Sequence, residues 1–140
     1  MYCRKKVLFL NESDATGVLY FAQQFKIAQE TFEEFLSTIG KSWGEYLKEG
    51  DLLLPVVHAE GDYFAPVQVG DILNIVLTVD KIGTTSFTLR CRFEESSTGK
   101  FLGSTSIVHV VIDRKSWSKM PITDFLKESL QSLQAAADLV

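Results

Sequence analysis

A single carboxylate followed by a glycine turn is the group in this sequence best placed to do chemistry. Asp14 comes three residues before Gly17, and both lie between a short apolar segment and a long periodic one. An ionised carboxylate can attack an electrophilic carbon or deprotonate a water, and fixed N–H donors at a helix start can stabilise an oxyanion. The bland alternative is a turn or N-cap residue without a catalytic role. We expect a reactive carboxylate at Asp14, with the choice between nucleophile and general base left open.

A long amphipathic helix follows this turn and must position it. Apolar residues recur at the three- and four-residue spacing of one buried helix face, at Phe21, Phe25, Ala28, Phe32, Phe35, Leu36 and Ile39. Gly40 is expected to end the helix as its C-cap. Glu30, Glu33 and Glu34 fall on the flank or the opposite side, where we expect them to be solvated or to pack against a partner subunit.

The remaining pattern predicts a first strand, four later strands and two further helices. Residues 2–10 read as the first strand, residues 42–50 as a short helix with a capping box, and residues 121–137 as a C-terminal helix. Alternating apolar residues predict the later strands in the segments 52–71, 73–79, 87–93 and 101–112. Consecutive antiparallel strands with helices on one side predict one α+β domain over residues 1–140. The open edges of such a sheet lead us to expect at least a dimer.

Composition and charge exclude several classes of function. The chain has 140 residues, of which 46% are hydrophobic, which suits one domain with a substantial core. Its net charge of −4 offers no basic field to nucleic acid, and no apolar run approaches the roughly 20 residues that span a bilayer. Cys3 and Cys91 have neither disulfide-framework nor metal-site spacing. We therefore expect a cytoplasmic protein with reduced thiols, no metal and no cofactor.

Two local signatures occur in this order of elements. The first is Asp14-Ala-Thr-Gly-Val-Leu-Tyr-Phe21, and the second is Tyr63-Phe-Ala-Pro-Val-Gln-Val-Gly-Asp71. They are similar to the Asp-x-x-Gly-x-x-Tyr/Trp-aromatic and Tyr-x-x-Pro-x-x-x-Gly-Asp segments of the hot-dog fold, in its 4-hydroxybenzoyl-CoA thioesterase-like branch. The resemblance covers residues 2–113. It implies a five-stranded antiparallel sheet wrapped around a long helix, in a homo-oligomer.

The resemblance implies hydrolysis of an acyl-CoA thioester at an interface between subunits of a dimer or tetramer. The family's catalytic carboxylate falls on Asp14, and the backbone N–H that polarises the thioester carbonyl falls at Phe21. A branch linked to cell-envelope gene clusters usually has His at this second position, whereas the aryl-CoA branch has an aromatic residue. Within the aryl-CoA branch, the sequence is most similar to the 1,4-dihydroxy-2-naphthoyl-CoA hydrolases of phylloquinone biosynthesis. The alternatives are a fatty acyl-CoA or acyl carrier protein thioesterase and a non-catalytic acyl-binding hot-dog protein.

Several other residues are candidates for substrate binding. Gly17 either lets the backbone approach the thioester closely or simply permits a positive φ, and Tyr20 either orients substrate or joins the core. His58 stands alone on an apolar strand, where we expect a structural or pocket-lining role. The phosphates of CoA need a local cluster of cations and hydroxyls, for which the candidates are Thr84, Thr85, Ser86, Arg90, Arg92 and Lys100. A solvated outer face explains the same residues equally well.

Overall fold

A computed structural model describes residues 1–39, 44–45 and 50–135. In chain order the elements are β1 (Tyr2–Val7), a 3-10 turn (Leu10–Glu12), α1 (Phe21–Thr38), β2 (Leu52–Leu53), β3 (Val56–Tyr63), β4 (Ile72–Ile82), β5 (Ser86–Glu95), β6 (Phe101–Val110), β7 (Ile112–Asp113) and, as α2, Asp124–Ala135. The C-cap predicted at Gly40 and most of the short helix predicted at 42–50 lie outside the described residues. No helix within the described ranges is long and apolar enough to cross a membrane.

Five strands form one antiparallel sheet in the order β1-β4-β5-β6-β3. Strand alternation directs one set of side chains to the inner face, where β4 and β5 place the pairs Ile75–Phe93, Leu77–Cys91 and Val79–Leu89 opposite each other. The buried residues of α1 and α2 join these side chains in a single core. The predicted α+β hot-dog architecture, a five-stranded antiparallel sheet wrapped around a long helix, is confirmed.

Two of the predicted strands are interrupted where backbone hydrogen bonding changes. The strand predicted at 101–112 divides into β6 and β7 at Val111, whose N–H still donates to the Thr85 carbonyl (2.8 Å) in the β5–β6 register but whose carbonyl accepts from Met120 (3.0 Å). The segment after residue 51 divides into β2 and β3 around Pro55, which has no N–H to donate. β2 pairs with β7 in a separate two-stranded sheet. Both interruptions lie at the same end of the main sheet.

The predicted terminal elements also differ in extent. β1 ends at Val7. The Leu8 N–H still donates to the Asp71 carbonyl (3.0 Å) in the β1–β4 register, but the Leu8 carbonyl accepts from Gly70 (2.9 Å) because the Asp71 N–H donates to Gln68 (3.0 Å). The chain then enters the 3-10 turn. The C-terminal helix begins at Asp124, three residues after the predicted start at 121, and its predicted end at 137 lies beyond the described residues.

Candidate active site

A tight loop carries Asp14 to the N-terminus of α1. The Asp14 N–H donates to the Val18 carbonyl (2.8 Å), and the Tyr20 N–H donates to the Glu12 carbonyl (3.0 Å). These two bonds make the loop a small antiparallel ladder that ends where Phe21 begins the helix. The candidate carboxylate and the first helical N–H therefore lie on adjacent parts of one hydrogen-bonded unit.

Gly17 supplies the conformation that this loop requires. Its φ of +79° is in the left-handed region, and its N–H donates to the Asp14 carbonyl (3.1 Å). A Cβ built on Gly17 would meet no atom within 4 Å, so the space on that side of the residue is open. Positive φ is thus a sufficient reason for glycine here, because side chains rarely adopt that conformation.

The Asp14 carboxylate has one engaged oxygen and one unengaged oxygen. Its Oδ1 accepts hydrogen bonds from the Thr16 hydroxyl (2.6 Å), the Thr16 N–H (2.8 Å) and the Val18 N–H (3.3 Å). The Thr16 hydroxyl first, then the two backbone donors, hold the pKa of Asp14 below its usual value. The side chain is exposed, and Oδ2 has no hydrogen-bond partner among the residues that the structure describes. Asp14 is therefore ionised at neutral pH and presents one oxygen outward.

The N-terminus of α1 offers a donor beside this carboxylate. The Phe21 N–H has no acceptor within the described part of the chain, as the first N–H groups of a helix have none inside the helix. The positive end of the helix dipole adds to its attraction for an anion. The Phe21 ring is 60% exposed and packs on Tyr20 with ring centroids 4.8 Å apart. Tyr20 is itself exposed, so it does not belong to the core.

The second signature forms the wall behind the loop. The Leu19 N–H donates to the Val67 carbonyl (2.7 Å), and the Val69 N–H donates to the Gly17 carbonyl (3.0 Å). In addition, the Tyr63 hydroxyl donates to the carbonyl of Phe21 (2.7 Å) in the first turn of α1. The two stretches that carried the family resemblance are therefore one structural unit.

A cavity of about 290 Å³ opens between these two stretches. It is lined by Val18, Leu19, Gln24, Tyr63, Phe64, Ala65, Pro66 and Val67. The lining is largely apolar with two polar side chains, which is typical of a small-molecule site that holds an apolar group and fixes its orientation. Because the Asp14 loop contributes Val18, an acyl group in this cavity would have its carbonyl end close to the carboxylate.

Gln24 is a residue of this site that the sequence reasoning missed. Its amide nitrogen donates to the carbonyls of Ser104 (3.1 Å) and Asp62 (3.3 Å), and the residue is 2% exposed. A signal was present, because Gln24 precedes Ile27 and Ala28 by three and four residues and so lies on the buried face of α1. A polar residue on that face needs partners, and here it bridges the helix to β3 and β6.

The structure does not bring His58 or the helix glutamates to the cavity of the single chain. His58 is exposed on β3, with its Nε2 3.6 Å from the Glu60 carboxylate. Glu33 and Glu34 are exposed on α1, and Glu34 lies 3.5 Å from Arg4, while Glu30 is partly buried on the same helix. No group of three or more His, Cys, Asp or Glu side chains that could hold a metal lies within the described ranges.

The six residues proposed to bind CoA divide between the two ends of the sheet. Thr84, Thr85 and Ser86 lie at the β4–β5 turn, where the carbonyl of Thr84 accepts from Ile122 (2.9 Å). This turn is at the far end of β4, an 11-residue strand of roughly 30 Å, from the segment that holds the Asp14 loop. Within one chain these three residues therefore do not act together with Asp14.

Arg92 is linked to the cavity through two aromatic rings. Its guanidinium lies 4.1 Å from the Phe101 ring centroid, and Phe101 packs on Phe64, with centroids 5.1 Å apart. Phe64 in turn lines the cavity. Arg90 is exposed on the same outer face and lies 3.7 Å from Asp80, and Lys100 is exposed in the β5–β6 hairpin beside Phe101.

Comparison with known proteins identifies the family. The family model of the thioesterase-like superfamily matches residues 9–130. A 1,4-dihydroxy-2-naphthoyl-CoA hydrolase from Prochlorococcus marinus (strain NATL2A) is 39% identical over 79% of this chain and 75% of its own. One from Synechococcus elongatus is 29% identical over 93% and 95% of the two chains.

Solved structures give the same result. The crystal structure of a 1,4-dihydroxy-2-naphthoyl-CoA thioesterase from Synechocystis superposes with a TM-score of 0.88 at 27% identity, covering 94% of this chain and 96% of that one. The resemblance expected from the two signatures is confirmed, over a larger part of the chain than those signatures occupy. The chain belongs to the thioesterase-like superfamily and is a hot-dog thioester hydrolase.

Proposed function

We propose that the protein hydrolyses an aromatic acyl-CoA, 1,4-dihydroxy-2-naphthoyl-CoA, to the free acid and CoA at the Asp14 loop. The observation that carries this proposal is the free Oδ2 of an ionised Asp14 beside the unbonded Phe21 N–H and a largely apolar cavity. The choice of acyl group is supported by the relatives from Prochlorococcus and Synechococcus, which are 1,4-dihydroxy-2-naphthoyl-CoA hydrolases. In the family that the chain resembles, the free acid enters phylloquinone biosynthesis.

Phe21 and Asp14 have different roles in the proposed reaction. The thioester carbonyl oxygen accepts a hydrogen bond from the Phe21 N–H, which stabilises the oxyanion as the carbon becomes tetrahedral. Asp14 either attacks that carbon, giving an acyl anhydride that water then opens, or takes the proton of a water that attacks it. In both routes the C–S bond breaks, and the CoA thiolate leaves and takes up a proton. Oxygen-18 from water enters the Asp14 carboxylate only in the first route.

The substitution of Asp14 by Asn tests the assignment. Asn has no charge to attack or to accept a proton, so we expect kcat for 1,4-dihydroxy-2-naphthoyl-CoA to fall by roughly 10²- to 10⁴-fold. Release of the CoA thiol, measured with a thiol reagent, reports the rate. The matched control is Asp80→Asn. It removes an exposed carboxylate on β4, which faces Arg90 of β5, and should leave the rate unchanged.

Three results would contradict the proposal. Normal turnover by Asp14→Asn would remove Asp14 from the reaction. Faster cleavage of fatty acyl-CoA than of naphthoyl-CoA or benzoyl-CoA would change the substrate class, and tight binding of these thioesters without cleavage by the native protein would identify an acyl-binding protein. The scheme assigns no cofactor to the reaction, because CoA is part of the substrate.

The proposed active form is a homo-oligomer, a dimer or a tetramer, joined along β3. β3 pairs with β6 on one side, and its other edge has unpaired backbone donors and acceptors. Val56, Val57, Tyr63 and Phe64 are all exposed along this edge, which is unusual for a monomer. Since Tyr63 and Phe64 also line the cavity, a second copy on this edge would complete the wall of the site.

The cytoplasm is the proposed location, since neither cysteine is in a disulfide. Cys3 is exposed and Cys91 is buried, and both are free thiols. An exposed thiol persists in the reducing conditions of that compartment.

A further inference from the structure

We propose that Gln24 selects hydroxylated aromatic acyl groups by accepting a hydrogen bond from a ring hydroxyl through its Oε1. The inference rests on the proposed function, because it concerns the acyl group of the same reaction. It adds a specificity-determining residue in the lining of the cavity, separate from the carboxylate that reacts.

The orientation of the Gln24 amide is set by its neighbours. Both groups within hydrogen-bonding distance of its nitrogen, the carbonyls of Ser104 (3.1 Å) and Asp62 (3.3 Å), can only accept. The NH2 group must therefore face them, which fixes Oε1 at the opposite end of the planar amide. Oε1 has no donor among the described residues, although the residue is 98% buried, its exposed fraction being 2%. The side chain lines the cavity.

Glycine at position 103 gives this amide its room. A Cβ built on Gly103 would lie 2.6 Å from the Asp62 carbonyl oxygen and 3.0 Å from Gln24 Oε1. Real Cβ atoms do not approach a backbone oxygen so closely, and therefore any side chain at position 103 would displace the amide or the strand. On β3, a Cβ on Gly61 would similarly lie 3.0 Å from the Phe25 ring. The backbones around the first turn of α1 thus approach closely enough to hold Gln24 in place.

The chemistry of the cavity then indicates what this oxygen binds. The hydroxyl of Tyr63, the other polar side chain of the lining, already donates to the Phe21 carbonyl (2.7 Å). The remaining lining residues are apolar, so an alkyl chain or an unsubstituted ring would cover Oε1 and leave it without a donor. A phenolic O–H supplies that donor. A 1,4-dihydroxynaphthoyl group has two such hydroxyls and a ring that fits the apolar walls.

The test compares two substrates on the native enzyme and on Gln24→Met. Methionine keeps the length of the side chain and removes the acceptor. We expect native kcat/KM to be roughly 10- to 100-fold higher for 1,4-dihydroxy-2-naphthoyl-CoA than for 2-naphthoyl-CoA, which has no ring hydroxyl. Gln24→Met should reduce this ratio to within threefold by losing activity on the hydroxylated substrate. Gln29→Met, on the same helix and outside the cavity lining, is the matched control and should keep the native ratio.

The outcomes separate the inference from the proposed function. Equal kcat/KM of the native enzyme for both substrates would overturn the role of Gln24. A Gln24→Met enzyme that keeps the native ratio would also overturn it. Both results leave the thioesterase assignment intact. A Gln24→Met enzyme that loses both activities in parallel shows a purely structural role, and also overturns the inference. A native enzyme that cleaves neither substrate overturns the proposed function. If Gln24→Met does not fold, two measurements on the native enzyme decide. They are its kcat/KM ratio for the two substrates and the calorimetric affinities for 1,4-dihydroxy-2-naphthoic acid and 2-naphthoic acid.

Discussion

At the scale of single residues, the reactivity of this site depends on how the protein holds one exposed carboxylate. Thr16 contributes both its hydroxyl and its N–H to Asp14 Oδ1, and these bonds keep the pKa of Asp14 below its usual value. The lowered pKa makes Asp14 a weaker base but keeps it ionised over a wider range of pH. Thr16 was part of the first signature, yet its hydroxyl has a defined task only in the folded loop.

Thr16→Val should move the acid limb of the activity profile. The substitution removes the hydroxyl that lowers the pKa of Asp14 most, so that this pKa rises and the carboxylate becomes protonated at a higher pH. We expect the acid limb of kcat/KM against pH to shift upward, with little change on the alkaline side. Thr78→Val, on the outer face of β4, is the control. Profiles of the native and Thr16→Val enzymes that superimpose would show that Asp14 does not control the acid limb.

His109 should make stability depend on pH. It is fully buried on β6, its Nδ1 is 2.9 Å from the Leu54 carbonyl, and its ring stacks on Phe87 with centroids 5.2 Å apart. Burial is the main cause that lowers the pKa of His109. The folded state therefore holds a neutral ring, whereas the unfolded chain takes up a proton below its pKa of about 6.5. The associated stability is present above that pH and is lost as the pH falls towards the folded pKa.

Urea denaturation of the native protein and of His109→Gln checks this sign. Below pH 6.5 we expect the free energy of unfolding of the native protein to fall by up to about 1.4 kcal/mol per pH unit because of this group. His109→Gln should be less stable at pH 8 but show a smaller slope. His58→Gln removes an exposed histidine and should keep the native slope. Equal slopes for His109→Gln and the native protein would contradict the argument.

At the scale of elements, the periodicity of apolar residues predicted the helix and strands whose buried face is encoded within the element itself. The apolar stripe of α1 and the alternation in β4 and β5 are local patterns, and the structure has these elements where the patterns indicated. The ends of β1 and β6 were not predictable in the same way. They depend on the Leu8 carbonyl accepting from Gly70 and on the Val111 carbonyl accepting from Met120, and neither partner is recognisable before the fold is known.

The candidate site was predictable to the same extent. Asp14 and the helix start could be identified from residue types and a family resemblance. The spacing also places Gln24 on the buried face of α1, but its carbonyl partners could not be identified, because they belong to strands far away in sequence. The residues predicted to bind CoA show the same limit, since Thr84 and Arg92 are of types typical of phosphate binding but lie at different places on the sheet of one chain.

A buried ion pair connects β1 to the loop of the active site. Lys6 Nζ lies 3.0 Å from Glu12 Oε1, with the two side chains 7% and 6% exposed. The same oxygen of Glu12 accepts from the Phe9 N–H (2.9 Å), and the Glu12 carbonyl accepts from Tyr20 (3.0 Å). Glu12 therefore holds both ends of the segment that carries Asp14.

Glu12→Gln should cost much more than the loss of an ordinary surface pair. It leaves the Lys6 charge buried without its counter-ion, for which we expect a loss of about 3–5 kcal/mol in the free energy of unfolding and a lower kcat. Adding Lys6→Met should recover part of the stability. The control is Glu34→Gln, which breaks the more exposed pair with Arg4 and should cost about 1 kcal/mol or less. Chemical denaturation of the native protein and the three variants measures these differences, and equal losses for the two single Glu variants would contradict the anchoring role.

At the scale of the whole molecule, the exposed edge of β3 predicts that activity and assembly change together. Val57→Lys places a charge on this edge, where Val57 is 58% exposed, and a charge there opposes pairing between two copies. We expect light scattering after size exclusion to show a dimer or tetramer for the native protein and monomer for Val57→Lys, with most activity lost. The control is Phe125→Lys on α2, where Phe125 is 43% exposed, and it should keep both the native mass and the rate. A fully active monomer would rule out a shared site.

The bonds between the Asp14 loop and the Val67–Val69 segment also have a consequence for how the enzyme forms. Residues near the beginning of the chain acquire their catalytic geometry only when a strand connection synthesised much later closes against them, as in the Val69 N–H to Gly17 carbonyl bond. Closing a long loop carries an entropic cost that local helix formation does not. During refolding, helical signal should therefore return before thioesterase activity, and the first turnover marks the moment at which the two distant stretches have met.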